Sequence, residues 1–376
     1  MKRKIIVFML LPLLTLSCYK KSTSDETEKE ANYYSLKITT NNPDATNYSV
    51  NVDNLNRIKE GTKVTISNTP GYYKIIQFLT SENELLSSDN TYSFEMNSDK
   101  EIKIVSQYST RYFYESLPNK EANIILMAGQ SNMEGQSPNF TKTLSSDVIS
   151  EYRKGHSNVY INYNCFAHGN FTDDKENSDT FVSVDFGQGI DKNQFGPEVG
   201  LSKYLGTNDP KTTYFLIKAA CGGTDLNTFW NPNNINNTDK KYMYGRFVKS
   251  VDKCLNMFTS YSIKPKIKGV LWMQGCSDCN DEKANAYLNN FSNLVNTTKT
   301  RYAQYLSDDF KWVSGYITNL YSPRNTIINN ALKQISDRVV EESEKLERDE
   351  SIPNNPHYTS EGYLKLGEYF GREFLS

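Results

Sequence analysis

From Ala122 to the C-terminus, short apolar runs recur at 124–128, 158–163, 213–219, 267–273 and 310–317. Stretches of helical character separate them, among them Pro197–Leu205, Gly245–Phe258 and Ala284–Tyr305. Runs this short and apolar suit strands buried on both faces, with a helical crossover before each next strand. The alternation predicts βαβ units, a parallel sheet covered on both sides, and functional groups in loops beyond the carboxyl ends of the strands. Apolar residues make up only 37% of the chain, but 26 tyrosines and 18 phenylalanines supply core material for its 376 residues.

Residues 33–110 follow another period. Thr62–Ile66, Tyr92–Met96 and Glu101–Ile104 alternate polar and apolar residues, as strands with one buried face do. Glu60-Gly61, Pro70-Gly71, Ser88-Asp89-Asn90 and Asn97-Ser98-Asp99 supply the turns. A small all-β domain is expected there, ahead of an α/β domain spanning 111–376. The β segment holds no catalytic constellation and reads as a spacer or adhesion module.

The N-terminus carries a localisation signal. Lys2-Arg3-Lys4 precede an apolar stretch from Ile5 to Leu16, the layout of a signal peptide over residues 1–17. The stretch falls short of the roughly 20 residues a membrane-spanning helix needs. Residues 18–32 are polar and charged, and read as a flexible tether. The net charge of −2 includes the three cations of the leader, so the remainder is more acidic and has no basic tract for nucleic acid.

Five cysteines follow Cys18, at 165, 221, 254, 276 and 279. In an oxidising compartment at least one disulfide is expected, with the pairing open and one thiol left over. Cys276-Ser-Asp-Cys279 lacks a second ligand pair at zinc spacing, so no metal is expected, and a local disulfide or one to Cys221 is favoured.

The first predicted strand runs into Gly129-Gln-Ser-Asn-Met133. A serine where a strand enters a helix projects its hydroxyl at the mouth of the sheet, and its own N–H can serve an oxyanion. The third strand runs into Cys221-Gly-Gly-Thr-Asp225, whose glycines can offer further N–H groups. The fourth runs into Gln274-Gly-Cys-Ser-Asp278, where Gln274 brings a side-chain amide. A serine nucleophile needs a base titrating near neutrality, and the chain has three histidines. His156 sits in a polar stretch, and His168 follows the second strand. His357, just before the last predicted helix, is the candidate base.

In order, Gly129–Met133, Phe195-Gly-Pro-Glu198, Lys218 through Gly222-Gly-Thr224, Trp272-Met-Gln-Gly275, and His357 with Gly362 and Gly367 resemble the SGNH-hydrolase superfamily. The resemblance runs from about residue 122 to the C-terminus and is specific to the sialate O-acetylesterase and carbohydrate acetylesterase group. It implies a three-layer α/β/α sandwich on a flavodoxin-like parallel sheet and a serine esterase without cofactor acting on acetylated glycans. Carried over, Ser131 is the nucleophile and His357 the base. Ser131, Gly222 or Gly223, and Gln274 form the oxyanion hole, and Gln130, Asn132, Thr224 and Glu198 line the substrate. Two positions depart from the family, which usually has an acid at 276 and often an aspartate at 354, where this chain has Cys276 and Asn354. Asp278, or more distantly Asp281, is the candidate to orient His357 in their place, while Asn354 can hold a ring without supplying charge. These departures leave a second reading open, a glycan-binding surface protein on a weakened esterase fold.

Two further resemblances concern the N-terminal third. Thr15-Leu-Ser-Cys18 is similar to a bacterial lipoprotein processing site, which implies a lipidated Cys18 and an outer-membrane protein facing the periplasm or the cell surface. The β segment resembles the small repeat of internalin-type surface proteins.

Overall fold

The structure is a computed structural model and describes residues 31–41, 48–69, 71–153, 158–166, 174–178, 180–237 and 242–376. The leader, Cys18 and most of the tether lie outside the described residues, as do His156 and His168. The chain divides into two compact units, one ending at 68 and resuming over 75–106, the other comprising 69–74 and 107–376. In the smaller, a four-stranded sheet and a three-stranded sheet enclose a core that includes Val64, Ile66, Phe78, Met96 and Ile104. The alternation read from the sequence is visible in the strand Lys63–Asn68, where Val64 and Ile66 are buried and Lys63 is exposed.

The larger unit is built on an eight-stranded sheet. Its strands are β1 (Glu121–Gly129), β2 (Val159–Phe166), β3 (Asp174–Asn177), β4 (Val182–Ser183), β5 (Tyr214–Ala220), β6 (Lys264–Met273), β7 (Leu306–Gly315) and β8 (Arg338–Val340). The order is β3-β2-β5-β1-β6-β7-β8, with β4 beside β2. All pairs from β2 to β8 along this path are parallel, and β3 and β4 add antiparallel edges. The first strand thus lies between β5 and β6. A flavodoxin-like order would set it beside the second strand instead, so the expected layers are present with a different strand order.

Both faces of β1 are dry. Ala122, Ile124, Leu126 and Ala128 enter one core, and Ile125 and Met127 enter the other. The first core is covered by α3 (Met243–Ser260), α4 (Asp281–Arg301) and α5 (Arg324–Ile335), the second by α2 (Glu198–Asn208) and α6 (Ser360–Leu375). Helices on two sides of one sheet give the three layers. The helices α2 and α6 meet closely because Gly200 and Gly367 lack side chains. A Cβ on Gly200 would lie 1.9 Å from Leu364 O, and one on Gly367 would lie 2.1 Å from Pro197 O.

Among the described residues no disulfide forms, and Cys165, Cys221, Cys254, Cys276 and Cys279 are thiols. The expected bridge is not formed, even where Cys276 and Cys279 lie near one another. Cys254 faces the core from α3, and Cys165 donates to Glu134 O. Cys279 donates to Gly275 O across its own turn.

Candidate active site

The sheet places four segments at one end. Three follow the carboxyl ends of β1, β5 and β6, and the fourth precedes α6. The β1 segment turns abruptly at Gly129, whose φ of +149° and close approach to β6 exclude a side chain. A Cβ there would lie 2.1 Å from Met273 O. Ser131 then opens the one-turn helix α1 (Ser131–Glu134). The residue before it makes no side-chain cap, and Met133 N and Glu134 N donate to Gln130 O. That leaves the N–H groups of Ser131 and Asn132 as the ones that can stabilise an oxyanion.

Asn132 joins this turn to the histidine loop. Its Nδ2 donates to Pro356 O at 3.1 Å, and its Oδ1 accepts from Tyr363 Oη of α6 at 2.7 Å. His357 follows Pro356 directly, so the base is carried against the helix that begins with the nucleophile. Asn355 braces the same loop, its Oδ1 accepting from His357 N and its Nδ2 donating to Asp349 O. Thr359 caps α6 by accepting from Gly362 N and fixes where the loop ends. Asn354 is exposed, with a φ of +57°, a left-handed conformation that asparagine tolerates well. Its place is in the turn.

The oxyanion donors are narrower than expected. Gly222 N donates to Glu134 Oε2 at 2.9 Å and is taken. Gly223 is exposed, with a φ of +72°, and is the glycine of the pair that reaches solvent. Gln274 is fully buried, and its Nε2 lies 2.5 Å from Asp278 Oδ2, 3.1 Å from Thr224 O and 3.3 Å from Gln130 Oε1. An amide has two hydrogens to give, so this one is committed inside the protein, a correction to its expected role as a donor to substrate.

Asp278 also has a different setting from the one anticipated. Its carboxylate accepts from Leu226 N as well as from Gln274, binding the β5 loop to the β6 loop. Burial, foremost, raises its pKa to about 6, against the hydrogen bonds from Gln274 and Leu226. Asp281 is exposed and paired with Arg324.

The four residues expected to touch substrate stand behind the site, with side chains buried and bonded within the protein. Gln130 Oε1 accepts from Gln274 Nε2, Gly275 N and Ser277 N. Thr224 Oγ1 donates to Cys221 O and accepts from Trp230 Nε1. Glu198 pairs with Lys218 at 2.9 Å, both side chains fully buried. Sequence reasoning missed Glu134 and Asn355. Glu134 was visible as an acid one residue past the quoted motif, in the first turn after the serine.

A family model described as carbohydrate esterase, sialic acid-specific acetylesterase matches residues 121–376. The chain belongs to this family. That assigns it carbohydrate O-acetylesterase chemistry. No curated protein matches the chain. Among solved structures it is similar to a protein from Arabidopsis thaliana, at 19% identity, TM-score 0.47, covering 68% of this chain and 98% of that one. It is also similar to NanS, at 14% identity, TM-score 0.48, with coverage of 69% and 98%. A carbohydrate acetylesterase from Xanthomonas citri follows at 9% identity and TM-score 0.45, with coverage of 84% and 72%.

The Asp278 bridge has a measurable consequence. A folded-state pKa above the ordinary aspartate value means the folded chain holds this proton more tightly than the unfolded one. Stability from this group is therefore complete below about pH 4 and lost as pH rises through about 6, by up to about 3 kcal/mol. Asp278→Asn is expected to flatten that part of the stability profile in urea titrations run from pH 4 to 8. It should also lower kcat about 10²-fold, because the β5 and β6 loops no longer share two acceptors. The amide keeps one acceptor oxygen and sets its NH2 against Gln274 Nε2 or Leu226 N. An unchanged kcat would show that the bridge does not set the geometry of the site.

Proposed function

We propose that this family member removes acetyl groups from sialic acid-containing glycans through an acetyl–serine intermediate on Ser131. Ser131 Oγ attacks the acetyl carbonyl carbon while His357 takes its proton. The resulting oxyanion lies against the N–H groups of Ser131 and Gly223, and His357 returns the proton to the departing sugar oxygen. Water, deprotonated by the same histidine, then releases acetate. The observation that carries this reading is the Asn132–Pro356 hydrogen bond, which seats the His357 loop on the turn headed by Ser131. Asp278 acts in it as a positioning residue for the loops, not as the acid behind the histidine. The N-terminal pattern supports an outer-membrane lipoprotein held through Cys18, with the β unit as spacer.

The test is a rapid quench of the protein with an acetyl ester, followed by intact-mass and peptide mapping. One acetyl group is expected, on the peptide containing Ser131. The weakened, glycan-binding alternative, favoured by Cys276 and Asn354, predicts no acetylation and no turnover, with retained glycan binding.

A further inference from the structure

The cations on the segments near the site differ in how they are neutralised. Lys283 pairs with Asp225 at 3.2 Å, and Arg324 pairs with Asp281 at 2.7 Å. Arg348 pairs with no carboxylate among the described residues. It is half-buried, so leaving its charge without a counter-ion has a cost that a ligand would offset.

Its position is tied to the catalytic loop. Residues 347–349 run antiparallel to 357–359, with Asp349 N donating to His357 O, Thr359 N donating to Glu347 O, and Arg348 bridged to Tyr358. The guanidinium folds back so that Nη1 donates to Asn355 O at 3.1 Å, two residues before His357. A two-residue span is at most about 7 Å. One of its five N–H donors is used there and four remain. Tyr321, on the short turn after β7, lies within electrostatic reach of Cys276, Cys279 and Arg348. Tyr358 is likewise within reach of both Arg348 and Cys276, so Arg348 lies near the β6 loop. There, at the position where the family usually has an acid, Cys276 presents a thiol that burial keeps protonated.

We propose that Arg348 is the residue that binds a carboxylate on the substrate's sugar, so that the enzyme favours acetyl esters of acidic sugars over neutral ones. A guanidinium suits this because its fork meets a carboxylate in two parallel hydrogen bonds. The inference rests on the acetylesterase reading above and adds the contact that selects the substrate.

The experiment compares kcat/KM for O-acetylated sialic acid with that for its methyl ester, in the full chain and in Arg348→Gln. Methylation removes the substrate's charge while leaving the acetyl ester in place. The expected result is a preference for the free acid that falls about 10²-fold in the variant, through KM, with Arg348→Lys intermediate. Equal losses on both substrates would overturn the proposal and mark Arg348 as a brace of the His357 loop. A preference that survives in the variant would overturn it as well. If the unaltered protein hydrolyses neither ester, the acetylesterase reading fails on its own. Calorimetric binding of free sialic acid to the two proteins then decides the arginine's role, and equal affinities would sink it.

Discussion

Replacing Ser131 with alanine is expected to lower kcat for acetyl-ester hydrolysis by about 10⁴-fold or more, because no covalent intermediate can then form. The change removes one hydroxyl from the first residue of a short turn. The backbone that presents it is fixed elsewhere, by Gln130 N on Met273 O and by Asn132 on Pro356 and Tyr363. The melting temperature should therefore move little, and glycan binding should persist. The decisive comparison is hydrolysis of p-nitrophenyl acetate by the two purified proteins. Equal rates would remove Ser131 from the chemistry, whatever its position. Since the Ser131 N–H remains in the variant, a residual rate above that of water alone is expected from the oxyanion donors.

How much of this was legible in the sequence follows from what each residue touches. The apolar runs gave the strands because residues 122–128 are buried on alternate sides of one sheet, which forces apolar side chains at nearly every position. The small unit's period of two was equally readable. The strand order was not, since the position of β1 between β5 and β6 depends on crossovers that leave no local pattern. At the site, the serine and histidine could be read because their chemistry restricts the residue types available. Gln274, Thr224 and Glu198 look like ligands in a motif, yet each is fully buried and bonded to its own protein. A conspicuous polar residue in a motif can serve substrate or scaffold, and only burial separates the two. Asn354 and Asn355 show the same limit. The exposed one forms the left-handed turn, and its buried neighbour holds the histidine's backbone.

Lys218→Met is expected to destabilise the larger unit by about 3–5 kcal/mol, the usual cost of leaving one member of a buried ion pair behind. Lys218 Nζ donates to Glu198 Oε2 at 2.9 Å, to Gln188 O at 2.7 Å and to Glu134 O at 3.0 Å, and nothing of its side chain reaches solvent. Burial by itself would lower the lysine's pKa, but Cys165 and Glu198 among its surroundings raise it, so the ammonium form is the one held. Methionine has a similar length and no charge, so it fills the space and leaves Glu198 ionised without its partner. Two carbonyls lose their donor as well, and one of them, Glu134 O, belongs to the turn that begins with Ser131. The variant should therefore lose activity beyond its loss of stability. A second change, Glu198→Gln, removes the stranded charge while keeping an acceptor for Gly196 N, and the double variant should recover part of the lost stability. Urea unfolding of the four proteins measures the coupling. A single-variant loss below about 1 kcal/mol would mean that Glu198 takes up a proton or finds water once the lysine is gone. The ion pair would then be a consequence of the fold and not one of its supports.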